Sequence, residues 1–169
     1  MTKLNVLKFP DPRLRAKAKA VIQIDAAITQ AIADMLETMY SANGVGLAAI
    51  QVNIPHDIIV MDVSENADAP KCFINAKIIA HEDTIDSDEG CLSFPGIRTK
   101  VKRHRKVTVE YMDDNGAIQE ITAADNLLSI CLQHEIDHQN GITFYDHLSP
   151  LKQQMLRSKI KKLQIKGEY

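Results

Sequence analysis

The sequence predicts an α+β fold: mostly antiparallel short strands around a central buried helix that carries an HExxH motif, with an N-terminal and a C-terminal helix. Three observations predict it. The periodic segments fall in the order helix, strands, helix, helix, which excludes the alternation of a doubly wound sheet. The polar run Asp113-Asp114-Asn115-Gly116 separates two strand-like segments as a hairpin turn does. Finally, apolar residues in 126–139 cover much of a helix circumference, the pattern of a helix packed on several sides.

Each element has its own signal. Asp25 is a good N-cap, and Ile28, Ile32, Met35, Leu36 and Met39 recur at helical spacing as far as about Tyr40. Asn43-Gly44-Val45-Gly46 then breaks the helix. Strands are expected over Asp57–Val63, Cys72–Asn75 and Lys77–Ala80. An acidic stretch, Glu82–Glu89, leads into Gly90-Cys91-Leu92-Ser93. Val107, Val109 and Tyr111 alternate with polar residues as a half-buried strand, and Ala117–Thr122 returns after the turn. Leu127, Leu128, Ile130, Cys131, Leu132 and Ile136 belong to a helix over Asn126–Gln139 that Asn140-Gly141 closes. Ser149-Pro150 opens the third helix, with Leu156, Ile160 and Leu163 on one face.

The 169 residues suit one domain, 1–169, of which 149–169 is a basic helix. With 45% apolar and 25% charged residues and only seven Gly and six Pro, collagen, low-complexity disorder and a disulfide scaffold are excluded. Apolar runs are far shorter than the ~20 residues of a membrane span, and Met1–Pro10 lacks the apolar core of a secretory signal. Three cysteines, an odd count, suit a reducing compartment with free thiols or a metal ligand. Ser149–Tyr169 holds six Lys/Arg against one Glu, and Lys100-Val101-Lys102-Arg103-His104-Arg105-Lys106 is a second basic cluster. Solvated surface is the favoured reading of both; contact with an RNA-rich partner is the other.

The sharpest chemical signal is His134-Glu135-Ile136-Asp137-His138. Histidines four apart lie about 6 Å apart along one helix face, so two imidazoles can reach one metal ion with Glu135 beside it. Buried without a metal, the three polar groups would be costly. A catalytic site wants a third ligand and an open position. Residue 144, where another family of zinc enzymes has a third His, is Phe, and the only downstream Glu is Glu168. Cys131 shares the helix face but lies ~10 Å along the axis from His138, which makes it wall or core. His147 follows closely after Gly141 and is less favoured than Cys91, which Gly90 leaves open to close backbone approach. Gly44-Val45-Gly46-Leu47-Ala48-Ala49-Ile50-Gln51 lacks the Lys-Ser/Thr of a phosphate loop. It reads as a plain connection or as backbone able to pair with an extended peptide, with Gln51 as a polar donor.

Together, Gly44–Gln51, Glu89–Ser93 and Gln133–Gly141 resemble the peptide deformylase family in motif, order and spacing, and the resemblance covers nearly the whole chain, from Pro10-Asp11-Pro12-Arg13-Leu14-Arg15 onwards. The helix after Ser149 resembles the bacterial type with an extended terminal helix. Gln139 stands where many relatives carry Leu, and Asn43 where an acidic residue is frequent. The resemblance implies hydrolysis of the N-terminal formyl group from N-formyl-methionyl peptides. It implies that Cys91, His134 and His138 hold a divalent metal ion with water in the fourth position, and that Glu135 moves the proton. The metal, the Gln51 amide and the Leu92 N–H would hold the oxyanion. Val45, Gly46, Leu127, Ile130, Cys131 and His134 would line a methionine pocket, with Arg98 a substrate contact at the cleft mouth. Fe(II) is implied as the physiological ion, with Ni(II), Co(II) or Zn(II) able to occupy the site. The same resemblance suggests bacterial cytoplasm and ribosome contact through the basic C-terminal helix, with no membrane partner. Two rivals differ in chemistry: a structural metal module with a closed site, and a metal-free hydrolase with Cys91 as nucleophile.

Overall fold

In the computed structural model, which describes residues 2–169, helix α1 runs over Ala26–Ser41. The Asp25 carboxylate accepts the Ile28 N–H and starts the helix where the sequence places its cap. Asn43, left-handed at φ 54°, turns the chain out of it. Strands β1 Gly46–Ala48, β2 Ile58–Met61, β3 Lys71–Gly90, β4 Arg98–Met112 and β5 Ile118–Ala124 then pair antiparallel in chain order. Helix α2 spans Leu127–Gln139, and helix α3 spans Pro150–Lys166. Asn126 and Ser149 cap these two by accepting the N–H of Ser129 and of Lys152. No described helix is long and apolar enough to cross a membrane.

The α+β class and the helix positions agree with expectation; the strand lengths do not. The two short strands expected at Cys72–Asn75 and Lys77–Ala80 belong to one strand of 20 residues. The acidic stretch Glu82–Glu89, expected as a lead-in, is its second half. Register shifts between Ile74 and Lys77 and between Ile78 and Ala80 interrupt the alternation, which is why the strand reads as fragments. Its partner is the basic cluster of β4. Glu82 meets Lys106 at 2.9 Å, Asp86 meets Lys102 at 3.7 Å, and Asp88 meets Arg98 at 2.9 Å. Within that cluster Lys102, Arg103 and Lys106 are therefore neutralised by β3, and Lys100 is left without an ion pair among the described residues.

Packing explains the layout. Ile58, Ile59, Val60 and Met61 are all fully buried, so β2 is covered on both faces. Ile58 and Val60 pack in one cluster with Met35 and Met39 of α1. Ile59 and Met61 join Cys131, Leu132 and Ile136 of α2 in another. A third cluster seats Leu156 and Ile160 of α3 against Phe94, Ile97 and Val101. Leu127, expected to be buried, is instead 52% exposed. Beyond α2, Gly141 is left-handed at φ 71°, and a Cβ there would lie 2.4 Å from the Arg15 carbonyl oxygen. Gln139 is buried and donates from its amide to the Ile58 carbonyl, tying α2 to β2 where an apolar residue could only pack.

Asp57 precedes β2 with its Oδ1 buried and unpartnered, and burial raises its pKa to about 6. A carboxyl whose folded pKa lies above its unfolded value costs nothing at low pH and destabilises increasingly as pH rises between the two values. Relative to the parent, Asp57→Asn should thus gain stability between about pH 4 and about pH 7, by on the order of 1 kcal/mol once residual solvent access is allowed for. Urea unfolding across that range checks this; a gap between the two proteins that stays constant contradicts it.

Candidate metal centre

Three donor atoms converge from two elements. His134 and His138 sit one turn apart on α2, and Cys91 follows directly on β3. The Cys91 thiol lies 3.3 Å from His138 Nε2, which lies 3.3 Å from His134 Nε2. The three ligand atoms all lie within 4.8 Å of one another. One thiolate and two imidazoles are a donor set for Zn(II), Fe(II) and similar ions, and the spacing fits a single ion between them.

The surroundings hold these ligands in place. Glu89 Oε2 sits 2.8 Å from His134 Nδ1, which leaves Nε2 to face the other two donors. Arg103 donates to both Glu89 oxygens at 2.7 and 3.0 Å. Its third contact, at 2.6 Å, is Asp137 of α2, whose same oxygen lies 2.6 Å from His147. Burial alone would raise the Glu89 carboxyl, but the hydrogen bonds from His134 and Arg103 outweigh it and bring it down to about 2. Burial would likewise keep His134 neutral, yet the neighbouring Cys91, Glu89 and Glu135 push its pKa well up. His138, desolvated and beside His134, is held well down.

Glu135 faces the same space. It is buried, and its Oε2 has no partner among the described residues. Desolvation raises its pKa to about 7, where a carboxylate can both take and return a proton. Gln51 accepts the Ala48 N–H through Oε1 at 2.8 Å, which aims its amide at Ser93 Oγ, 3.1 Å away, and at the Cys91 thiol, 3.5 Å away.

These groups line a cleft of about 580 Å³. Val45, Gly46, Leu92, Leu127, Ile130 and Cys131 all border it, so of the residues singled out for the site only His138, fully buried, and the less favoured His147 do not line the cleft. Arg98 stands at the mouth, held by Asp88 through its side chain and backbone carbonyl. His147, the less favoured ligand, serves Asp137 instead. The roles of Glu89, Arg103 and Asp137 were not foreseen. The available signal was a buried-face Arg opposite an acidic strand, which becomes legible only once the register is known.

The family model described as polypeptide deformylase matches residues 3–154. The chain is 47% identical to a peptide deformylase of Nitrosococcus oceani over 164 residues, 97% of this chain and 98% of that protein. It is 50% identical to one of Acinetobacter baumannii, covering 96% and 93%. Among solved structures, a peptide deformylase from Legionella pneumophila superposes with TM-score 0.90 at 42% identity, covering 97% and 98%. One from Ehrlichia chaffeensis in complex with actinonin gives 0.90 at 38%, covering 96% and 98%.

Gly46 sets the clearance of the site, because a Cβ there would lie 2.6 Å from Glu135 Oε1 and 2.7 Å from Cys131 Sγ. Gly46→Ala should therefore lower the unfolding free energy by about 1–3 kcal/mol, with partial relief when combined with Cys131→Ala. Denaturant titrations of the two variants check this; an unchanged midpoint for Gly46→Ala contradicts it.

Proposed function

The chain belongs to the peptide deformylase family, and from that premise we propose that it hydrolyses the N-terminal formyl group of formyl-methionyl nascent peptides at a single metal ion held by Cys91, His134 and His138. The observation that carries the reading is the convergence of these three donors beside the buried, unpartnered Glu135. Bound there, a divalent ion supplies Lewis-acid polarisation and a water acidified towards neutral pH. Fe(II) is the proposed physiological ion; Ni(II), Co(II) and Zn(II) suit the same donors.

The chain's own residues do the rest. Glu135 takes the proton of the attacking water at its carboxylate and returns it to the departing amine, so formate and a free amino terminus leave. The Gln51 amide, fixed by its bond from Ala48, and the Leu92 N–H stabilise the charge that develops on the formyl oxygen. Among the described residues the Val45–Gly46 edge of β1 has no strand partner on its cleft side, since β1 ends the sheet, and an extended peptide pairs there. Leu127, Ile130 and Cys131 surround the methionine side chain, which gives the exposure of Leu127 a purpose. Arg98 contacts the peptide farther along.

Residues 1–169 act as one catalytic domain in this reading, and 149–169 is its basic extension. The net positive charge of that extension supports contact with the ribosome, where the substrate emerges. A bacterial cytoplasmic setting suits such a substrate.

Metal-loaded protein should release formate from a formyl-Met tripeptide and leave the acetyl-Met analogue intact. Glu135→Gln should keep its fold and metal content but lose turnover by roughly 100-fold or more. Absence of release by folded, metallated protein overturns the reading. Full activity in Glu135→Gln, or activity that survives thorough chelation, overturns the mechanism.

A further inference from the structure

A second groove, of about 450 Å³, runs between α3 and the start of β4. Its floor is apolar, formed by Ile97, Leu148 and Leu156. Lys152, Met155 and Lys159 line it from α3, at the three- and four-residue spacings that put side chains on one helix face. Thr99 and Lys100 face them from β4, and no acidic side chain lines the groove. Lys100, Lys152 and Lys159 form no ion pair among the described residues. They differ in this from Lys102 and Lys106, which β3 neutralises.

The groove adjoins the metal cleft, because Ile97 and Arg98 border both. A peptide that leaves the cleft past Arg98 meets the ammonium groups of Lys100, Lys152 and Lys159 around an apolar floor, with Asp88, opposite Lys100 across the hairpin, engaged by Arg98. We propose that this groove is an exosite for the downstream residues of the peptide substrate, from about the fourth residue onwards, and that it favours acidic side chains there. The proposal rests on the peptide substrate assigned above. An apolar floor beside a peptide cleft, with no aromatic side chain to stack a base, suits a polypeptide better than RNA. The exposed lysines contribute modest, salt-screened attraction, and they act on selectivity rather than on the bond broken.

The test compares formyl-Met-Ala-Ser followed by three Asp, three Ser or three Lys, on metal-loaded protein at low salt. The acidic extension should exceed the neutral one in kcat/KM by roughly three- to tenfold and the basic one should fall below it. The gap should shrink in salt. In the double variant Lys152→Glu/Lys159→Glu the order should invert, while turnover of the bare formyl-Met tripeptide stays unchanged. Anisotropy of fluorescein-labelled, unformylated versions of the same peptides reads binding without catalysis. Equal values for the three extensions, or an acidic preference that survives in the double variant, overturn the exosite. So does a double variant that loses ribosome cosedimentation with its peptide preference intact, because the lysines then serve RNA. Failure to deformylate even the tripeptide would count against the enzymatic reading alone, and the anisotropy series would still decide the groove.

Discussion

Glu89 is where the architecture meets the chemistry. Its carboxylate, from the end of β3, touches His134 of α2 and accepts from Nε and Nη2 of the Arg103 guanidinium on β4. Arg103 reaches on to Asp137, back on α2 and one turn from His134. Two strands and a helix are thereby fixed at one point, with Cys91 only two residues beyond Glu89. Taking these charges out of water is expensive, and their attraction offsets the cost only while every partner is present. Removing one would strand a buried charge. The network is therefore better understood as a device that fixes register than as a source of stability.

The same logic shapes the cleft wall. The Asp62 N–H donates to the Val45 carbonyl, and the Asp62 carboxylate accepts from Tyr40 at 2.6 Å and from Ser64. Burial would raise that carboxyl, but these hydrogen bonds bring it down to about 2. The end of α1, the edge of β1 and the loop after β2 thus share one anchor. Gly46, with no Cβ, then lets the backbone pass close to Glu135 and Cys131.

Much of this was legible in the sequence where the signal was local. The caps Asp25 and Ser149 marked two helix starts, and the four-residue spacing of His134 and His138 put both on one face. The family resemblance brought Gln51, Cys91 and the pocket residues to one site. What the sequence hid depends on pairing between distant segments. Bulges near Ile74 and Ile78 broke the alternation of β3, and the acidic composition of its second half resembles a loop. Only its partner strand reveals why: the basic run of β4 supplies the opposite charges. Leu127 resembled core because periodicity reports an apolar face without saying whether a neighbouring element or a ligand covers it.

If Glu89 orients His134 as described, metal affinity should depend on a residue that touches no metal. Competition against a chromophoric chelator measures this on folded Glu89→Gln, with the fold verified by circular dichroism. The account predicts a dissociation constant raised roughly 10- to 100-fold. An affinity equal to that of the parent protein would contradict it.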